Sequence, residues 1–123
     1  MNFMINIYFY LSISILMTFP LRYLLKGLLS FYILHILSQN PTYGYDLIKK
    51  IENLTGFWKP SPGSIYPALN TLKERGLVKM RKEKKRIYYE ITKKGKKILK
   101  DFHESKSQLI ERLEKTLKSL KVK

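Results

Sequence analysis

Between residues 61 and 75 the chain sets Tyr66, Asn70 and Thr71, three uncharged hydrogen-bonding side chains, along one side of the segment Ser-Pro-Gly-Ser-Ile-Tyr-Pro-Ala-Leu-Asn-Thr-Leu-Lys-Glu-Arg. Such groups can bond to base edges. The amide of Asn70 pairs a donor with an acceptor, the pattern that reads adenine. Ser61, Gly63 and Ser64 open the segment with hydroxyls and first-turn amides that can hold a phosphate. Pro67 lies on the same DNA-facing side, with the shaping of its turn as the other reading, and Lys73 adds charge on the flank. A second group, Lys82, Lys84, Lys85 and Arg86, carries sequence-independent attraction to phosphate. Of these, Arg86 is the one best suited to a narrow minor groove. Two readings stand for Tyr66, a contact to DNA or an aromatic at the rim of the core. Tyr43 and Tyr45 likewise either reach phosphate or pack against the preceding helix.

The charge supports a polyanionic partner. The 123 residues carry a net charge of +15, and from Lys79 to Lys100 eleven Lys or Arg stand against two Glu. A field of this kind binds nucleic acid by counterion release without reading sequence, and it also attracts an anionic membrane surface. There is no cysteine, which excludes disulfides, thiolate nucleophiles and cysteine-ligated zinc. No nucleophile–base pair and no phosphate loop is visible, so the residues do not point to an enzyme, and they imply no cofactor. His35 and His103 stand alone, without the spacing of a metal site, and read as structural.

These groups need a scaffold. Pro62 at the first helical position and Gly76 past the last bound one helix, with Ser61 placed to accept from its first amides. Ile65, Ala68, Leu69 and Leu72 face inward along it, while Tyr66, Pro67, Asn70, Thr71 and Glu74 face out. Before it, Leu21 to Leu37 form a helix apolar almost all round, ended by Asn40-Pro41. Thr42 is expected to cap a second helix from about Tyr43 to Leu54. The turn from Thr55 to Pro60 then completes a helix-turn-helix, with Trp58 closing the small core beneath it.

After Gly76, Val78 and Met80 alternate with basic residues, and Ile87, Tyr89 and Ile91 do so on the return, giving a hairpin with a cationic tip at residues 82–86. A last helix from Thr92 towards Leu120 carries Leu99, Phe102, Leu109, Leu113, Leu117 and Leu120 at near-helical spacing. Lys93, Lys94, Lys96, Lys97 and Lys100 form its solvated face. Its apolar stripe is longer than so small a domain can cover. With Leu25, Leu28, Leu29 and Tyr32 of the first long helix it is expected to build a dimer interface. The fold class is therefore mainly α with a small β-hairpin: a winged helix-turn-helix with N- and C-terminal dimerisation helices. Its divisions are an apolar extension at 1–20, a DNA-binding unit at 21–92 and a dimerisation helix at 93–123.

Residues 3–21 contain no charge. An extra helix, a start upstream of a natural Met17 and a membrane segment all remain open for the first 20 residues. Against the membrane reading stand the absence of a basic flank and the polar Asn6, Ser12, Ser14 and Thr18.

Three motifs in order, Gly-Tyr-Asp-Leu at 44–47, Pro-Gly-Ser-Ile-Tyr-Pro-Ala-Leu at 62–69 and Tyr-Tyr-Glu-Ile-Thr-Lys-Lys-Gly at 88–95, give a chain that resembles the PadR family of transcriptional regulators over about residues 24–120. The resemblance implies a cytoplasmic, dimeric repressor or regulator whose partner is double-stranded DNA. It is closest to the smaller branch of that family, which has a single C-terminal helix. Some small members bind flat aromatic compounds between tryptophans of the last helix. The single Trp here, Trp58, lies in the turn instead, so a small-molecule effector, if there is one, is not expected by that route. The rival reading is a nonspecific basic protein that binds RNA or chromatin, and the uncharged outer face of residues 61–75 argues against it. A regulator anchored through residues 1–20 is the other alternative.

Overall fold

A computed structural model describes residues 25–120 of the chain, together with Ile7; the readings of residues 1–20 lie outside the described residues. Helix α1 covers residues 25–39. It is followed by strand β1 (Thr42–Tyr43), helix α2 (Gly44–Thr55), helix α3 (Pro62–Glu74), strand β2 (Val78–Glu83), strand β3 (Arg86–Ile91) and helix α4 (Lys93–Ser119). The strands form one antiparallel sheet in the order β1-β3-β2. This is the mainly helical winged helix-turn-helix expected from the sequence, with one more strand than the hairpin supplies. No helix among the described residues is long and apolar enough to cross a membrane.

One apolar core joins these elements. Ile33 of α1, Leu47 and Ile51 of α2, Ile65 and Leu69 of α3 and Val78 of β2 are fully enclosed, and Trp58 is partly buried against the same cluster. Helix α4 enters this core only through Gly95 and Leu99. Beyond Leu99 the helix continues to Ser119, roughly 30 Å at 1.5 Å per residue, with most of its apolar side chains exposed.

Both ends of α3 can be traced to sequence. Past its last residue Arg75 is still right-handed, Gly76 takes φ 75°, and the Leu77 and Gly76 amides donate to the Leu72 and Lys73 carbonyls at 2.9 and 3.0 Å. This paired closure needs a left-handed residue, which glycine adopts without steric cost. At the other end the expectation for Ser61 is corrected. It occupies the N-cap position, but its side chain bonds no amide. Its hydroxyl lies 3.2 Å from that of Ser64, and the Ser64 and Ile65 amides donate to its main-chain carbonyl instead.

Thr42 departs further from expectation. Rather than capping α2, it is buried in β1 opposite Tyr89, where its hydroxyl donates to the Asn40 carbonyl at 2.9 Å. Pairing with β3 holds Thr42 in the sheet, and the N-cap position falls to Tyr43, which makes no side-chain cap bond. Thr92, in contrast, does cap α4: its hydroxyl accepts from the Gly95 amide at 3.0 Å and donates to the Gly76 carbonyl at 2.6 Å. The same residue therefore starts the last helix and ties it to the end of α3.

Candidate nucleic-acid interface

The helix-turn-helix packs Ile65, Leu69 and Leu72 of α3 inward, which leaves the opposite side of the helix in solvent. Tyr66, Pro67, Asn70, Thr71, Lys73 and Glu74 are exposed there, as are Ser61, Gly63 and Ser64 at the start. The Asn70 amide nitrogen donates to the Glu74 carboxylate at 3.2 Å, one helical turn on. That bond fixes which end of the amide is the donor. It leaves one N–H and the carbonyl free, the pair that a bidentate adenine contact requires. Sequence reasoning placed Glu74 on this face but did not find its hold on Asn70.

Tyr66 lies at the junction of three elements. A methyl group on Gly44 would come within 2.8 Å of its ring, so the absence of a side chain at the start of α2 is what admits the tyrosine. Around it, the start of α2, the outer side of α3 and the hairpin enclose a cavity of about 460 Å³, lined by Tyr43, Tyr45, Tyr66, Tyr89, Lys85 and Arg86 among others. Tyr45 projects here at 73% exposure, whereas Tyr89 is buried. Burial, aided by the nearby Tyr66, raises the Tyr89 phenol above its ordinary pKa.

The hairpin pairs β2 with β3 from Val78↔Ile91 out to Glu83↔Arg86, so Lys84 and Lys85 form the turn. Lys84 takes a positive φ of 56°, a conformation costly for a residue with a side chain. The cations of this region separate into two sets. Lys79 and Arg81 are held by Glu90 at 3.5 and 3.1 Å, and Arg81 also lies 3.8 Å from Glu83. Lys82, Lys84 and Lys85 make no ion pair among the described residues and are exposed.

Arg86 is committed differently. Its guanidinium sits 5.0 Å above the Tyr43 ring, Tyr43 stacks on Tyr88, and Arg81 lies 5.7 Å from the centre of Tyr88 on the far side. Tyr43 and Arg86 thus belong to one column across the outer face of the sheet. Lys73 bends back toward β2, its ammonium 3.5 Å from the Met80 sulfur. Lys94, read as part of a solvated face, donates to the Arg75 carbonyl at 3.0 Å and so satisfies an acceptor at the end of α3.

The residues expected at a dimer interface also divide. Leu25, Phe102, Leu109, Leu113, Leu117 and Leu120 are between 41 and 68% exposed, together with Ile98 and Ile110, which the sequence reading left off the stripe. Leu28 and Tyr32 are half-buried. Leu29 and Leu99 are only 4 and 7% exposed; the chain's own core encloses them, and neither needs a partner for cover. The two histidines, read as isolated, meet across α1 and α4 with ring centroids 6.1 Å apart. No group of three metal-ligating side chains exists among the described residues.

Comparison with known proteins agrees with this architecture. The family described as transcriptional regulator PadR-like matches residues 33–101, from the core face of α1 to the first turns of α4. The transcriptional regulator YqjI of Escherichia coli strain K12 is 43% identical over 96 residues, which cover 75% of this chain and 45% of that protein. The chain therefore spans about half the length of the curated relatives it matches. A transcriptional regulator from Clostridium thermocellum has the same fold at a TM-score of 0.69 and 27% identity, over 75% of this chain and 92% of that one. A proposed transcriptional regulator from Thermoplasma acidophilum gives 0.64 at 34% identity, over 80% of this chain and 96% of that one. With a family match over more than half its length on a winged helix-turn-helix, this chain belongs to the PadR-like family of transcriptional regulators.

Proposed function

We propose that the chain is a sequence-specific, double-stranded-DNA-binding repressor that acts as a homodimer on an inverted repeat. Helix α3 lies in the major groove with Tyr66, Asn70 and Thr71 toward the bases, and the Lys84-Lys85 turn rests on the neighbouring backbone. The observation that carries this reading is the contrast between two adjacent surfaces. The outer face of α3 is open and mostly uncharged, while the hairpin tip beside it presents three cations free of ion pairs among the described residues. A nonspecific binder has no use for such a division, because phosphate attraction alone would favour lysine on both. Ser61, Gly63 and Ser64 hold a phosphate at the start of α3, and Tyr45 and Lys85 flank the cavity beside Tyr66. Tyr43 and Arg86 serve chiefly by fixing the hairpin.

The dimer follows from α4. Its exposed apolar residues from Phe102 to Leu120, with Leu25 of α1, form a stripe too long to leave in water, and a second copy supplies the same stripe for mutual cover. Residues 21–92 then make the DNA-binding unit and 93–123 the dimerisation helix. Selection of bound fragments from genomic DNA, followed by footprinting, tests the whole reading. The expected result is a protected inverted repeat with half-sites about 10 base pairs apart, bound by two chains as measured by sedimentation. Recovery of fragments with no common sequence, or binding by single chains, overturns it.

A further inference from the structure

The two histidines of the chain are brought together by folding although 67 residues separate them in sequence, and, Phe102 of the dimer stripe apart, what surrounds them has no role in the DNA reading. Phe31 of α1 holds both rings. It stacks on His35 at 6.2 Å and meets His103 edge-on at 5.4 Å, while Phe102 packs against it at 4.5 Å. The imidazoles are thus oriented by packing. No side-chain hydrogen bond among the described residues ends on either ring; the Ser38 hydroxyl beside them donates to the His35 main-chain carbonyl.

Beside this pair, between α1 and α4, lies a cavity of about 470 Å³ lined by His35, Ser38, Lys96, Lys100, His103 and Glu104 over a floor of buried Leu99. Ion pairs among the described residues lie elsewhere, on the sheet and between Glu111 and Lys115. Lys96 and Lys100 therefore reach the cavity unneutralised, and Glu104 is the one carboxylate against two ammonium groups and two imidazoles. An open depression with two ammonium groups against one carboxylate, beside imidazoles held by packing, suits a compact anion. A duplex cannot enter a space of this size, and His35, His103 and Glu104 are not arranged as a group of three that could hold a metal.

We propose that this cavity is a binding site for a small oxyanion, a phosphate or a carboxylate. Phosphate is the better fit, because its several oxygens can accept from the lysines and the imidazoles together. The site does not depend on the chain's binding DNA, and its test uses none.

Because the chain has two histidines, their imidazole proton resonances report the site directly. The full-length protein is titrated with sodium phosphate and, separately, sodium acetate at fixed pH and ionic strength, with sodium chloride as reference. Saturable shifts of both imidazoles are expected with phosphate, weaker ones with acetate and none with chloride. Lys100→Gln should weaken phosphate binding about tenfold, the loss of one charge-assisted hydrogen bond, while Lys118→Gln near the far end of α4 leaves it unchanged. Lys100 is exposed, so its replacement keeps the core intact and the test readable even if His103→Gln fails to fold. Shifts that follow phosphate and chloride alike without saturating, or an affinity unaltered in Lys100→Gln, overturn the proposal.

Discussion

Tyr43 and Tyr88 stack with ring centroids 3.9 Å apart and planes 27° from parallel, and their hydroxyls share a hydrogen bond. They are register partners on β1 and β3, so the contact fastens the N-cap residue of α2 to the hairpin. Arg86 and Arg81 cover the two ends of the stack, and Glu90 in turn holds Arg81. Tyr43→Ala should remove the column and cost about 0.5–1.5 kcal/mol beyond lost apolar area. Amide exchange should quicken from Lys82 to Arg86, with DNA affinity falling on every sequence. Tyr43→Phe keeps the stack. Its effect should show in the Tyr88 phenol, which the bonded Tyr43 hydroxyl holds above its ordinary pKa; an absorbance titration should find it returning toward about 10.

Gly95 marks the tightest approach. A methyl group there would stand 2.3 Å from the Leu77 carbonyl oxygen and 2.7 Å from Ile91, and backbone cannot give way as a side-chain end can. Gly95→Ala should destabilise the chain by about 1–3 kcal/mol. At Gly63 an added methyl meets only the Ser61 hydroxyl at 3.7 Å, and the same substitution should stay within about 0.5 kcal/mol of neutral. Urea denaturation of the two variants provides the comparison.

Lys84 should separate stability from binding. Glycine at this position relieves the positive φ and is expected to raise the melting temperature, by an amount corresponding to about 1 kcal/mol. Removing the charge should meanwhile weaken binding to all sequences and lower the salt dependence of log K by about one. A drop in both stability and affinity would show that the lysine packs against the hairpin rather than straining it.

Tyr89 gives a pH dependence of definite sign. Burial raises its phenol in the folded state, so the unfolded chain loses this proton first as pH rises. The stabilisation is whole below the ordinary value of about 10 and is lost above it until the raised folded-state value is passed. Stability measured across this alkaline range should fall, and less steeply in Tyr89→Phe than in the native chain.

What the sequence disclosed depended on how local the signal was. Pro62 and Gly76 bracket α3, the alternation of Ile87, Tyr89 and Ile91 marks β3, and Thr92 opens α4, because each acts through neighbours a few residues away. Strand β1 escaped notice, since two residues show no period and Thr42 is strand only because Tyr89 lies opposite. The hairpin turn lacks the Asn-Gly or Asp-Gly that announces one. The exposed side of α3 could be read from helical spacing alone, whereas the bond from Asn70 to Glu74 depends on a choice of rotamer. The meeting of His35 with His103, the commitment of Arg86 to Tyr43 and the enclosure of Leu29 and Leu99 all arise from tertiary packing, which spacing does not encode.

The central claim is that α3 reads sequence while the hairpin supplies charge. It is tested most directly by measuring, across salt, the affinity of the native chain, Asn70→Ala and Lys84→Ala/Lys85→Ala for a selected operator and for random DNA of equal length. The expected result is a loss of about 1–3 kcal/mol for Asn70→Ala on the operator alone, confined to one base pair. The double variant should weaken on both DNAs, with a shallower salt dependence. Equal losses of Asn70→Ala on operator and random DNA would contradict the claim.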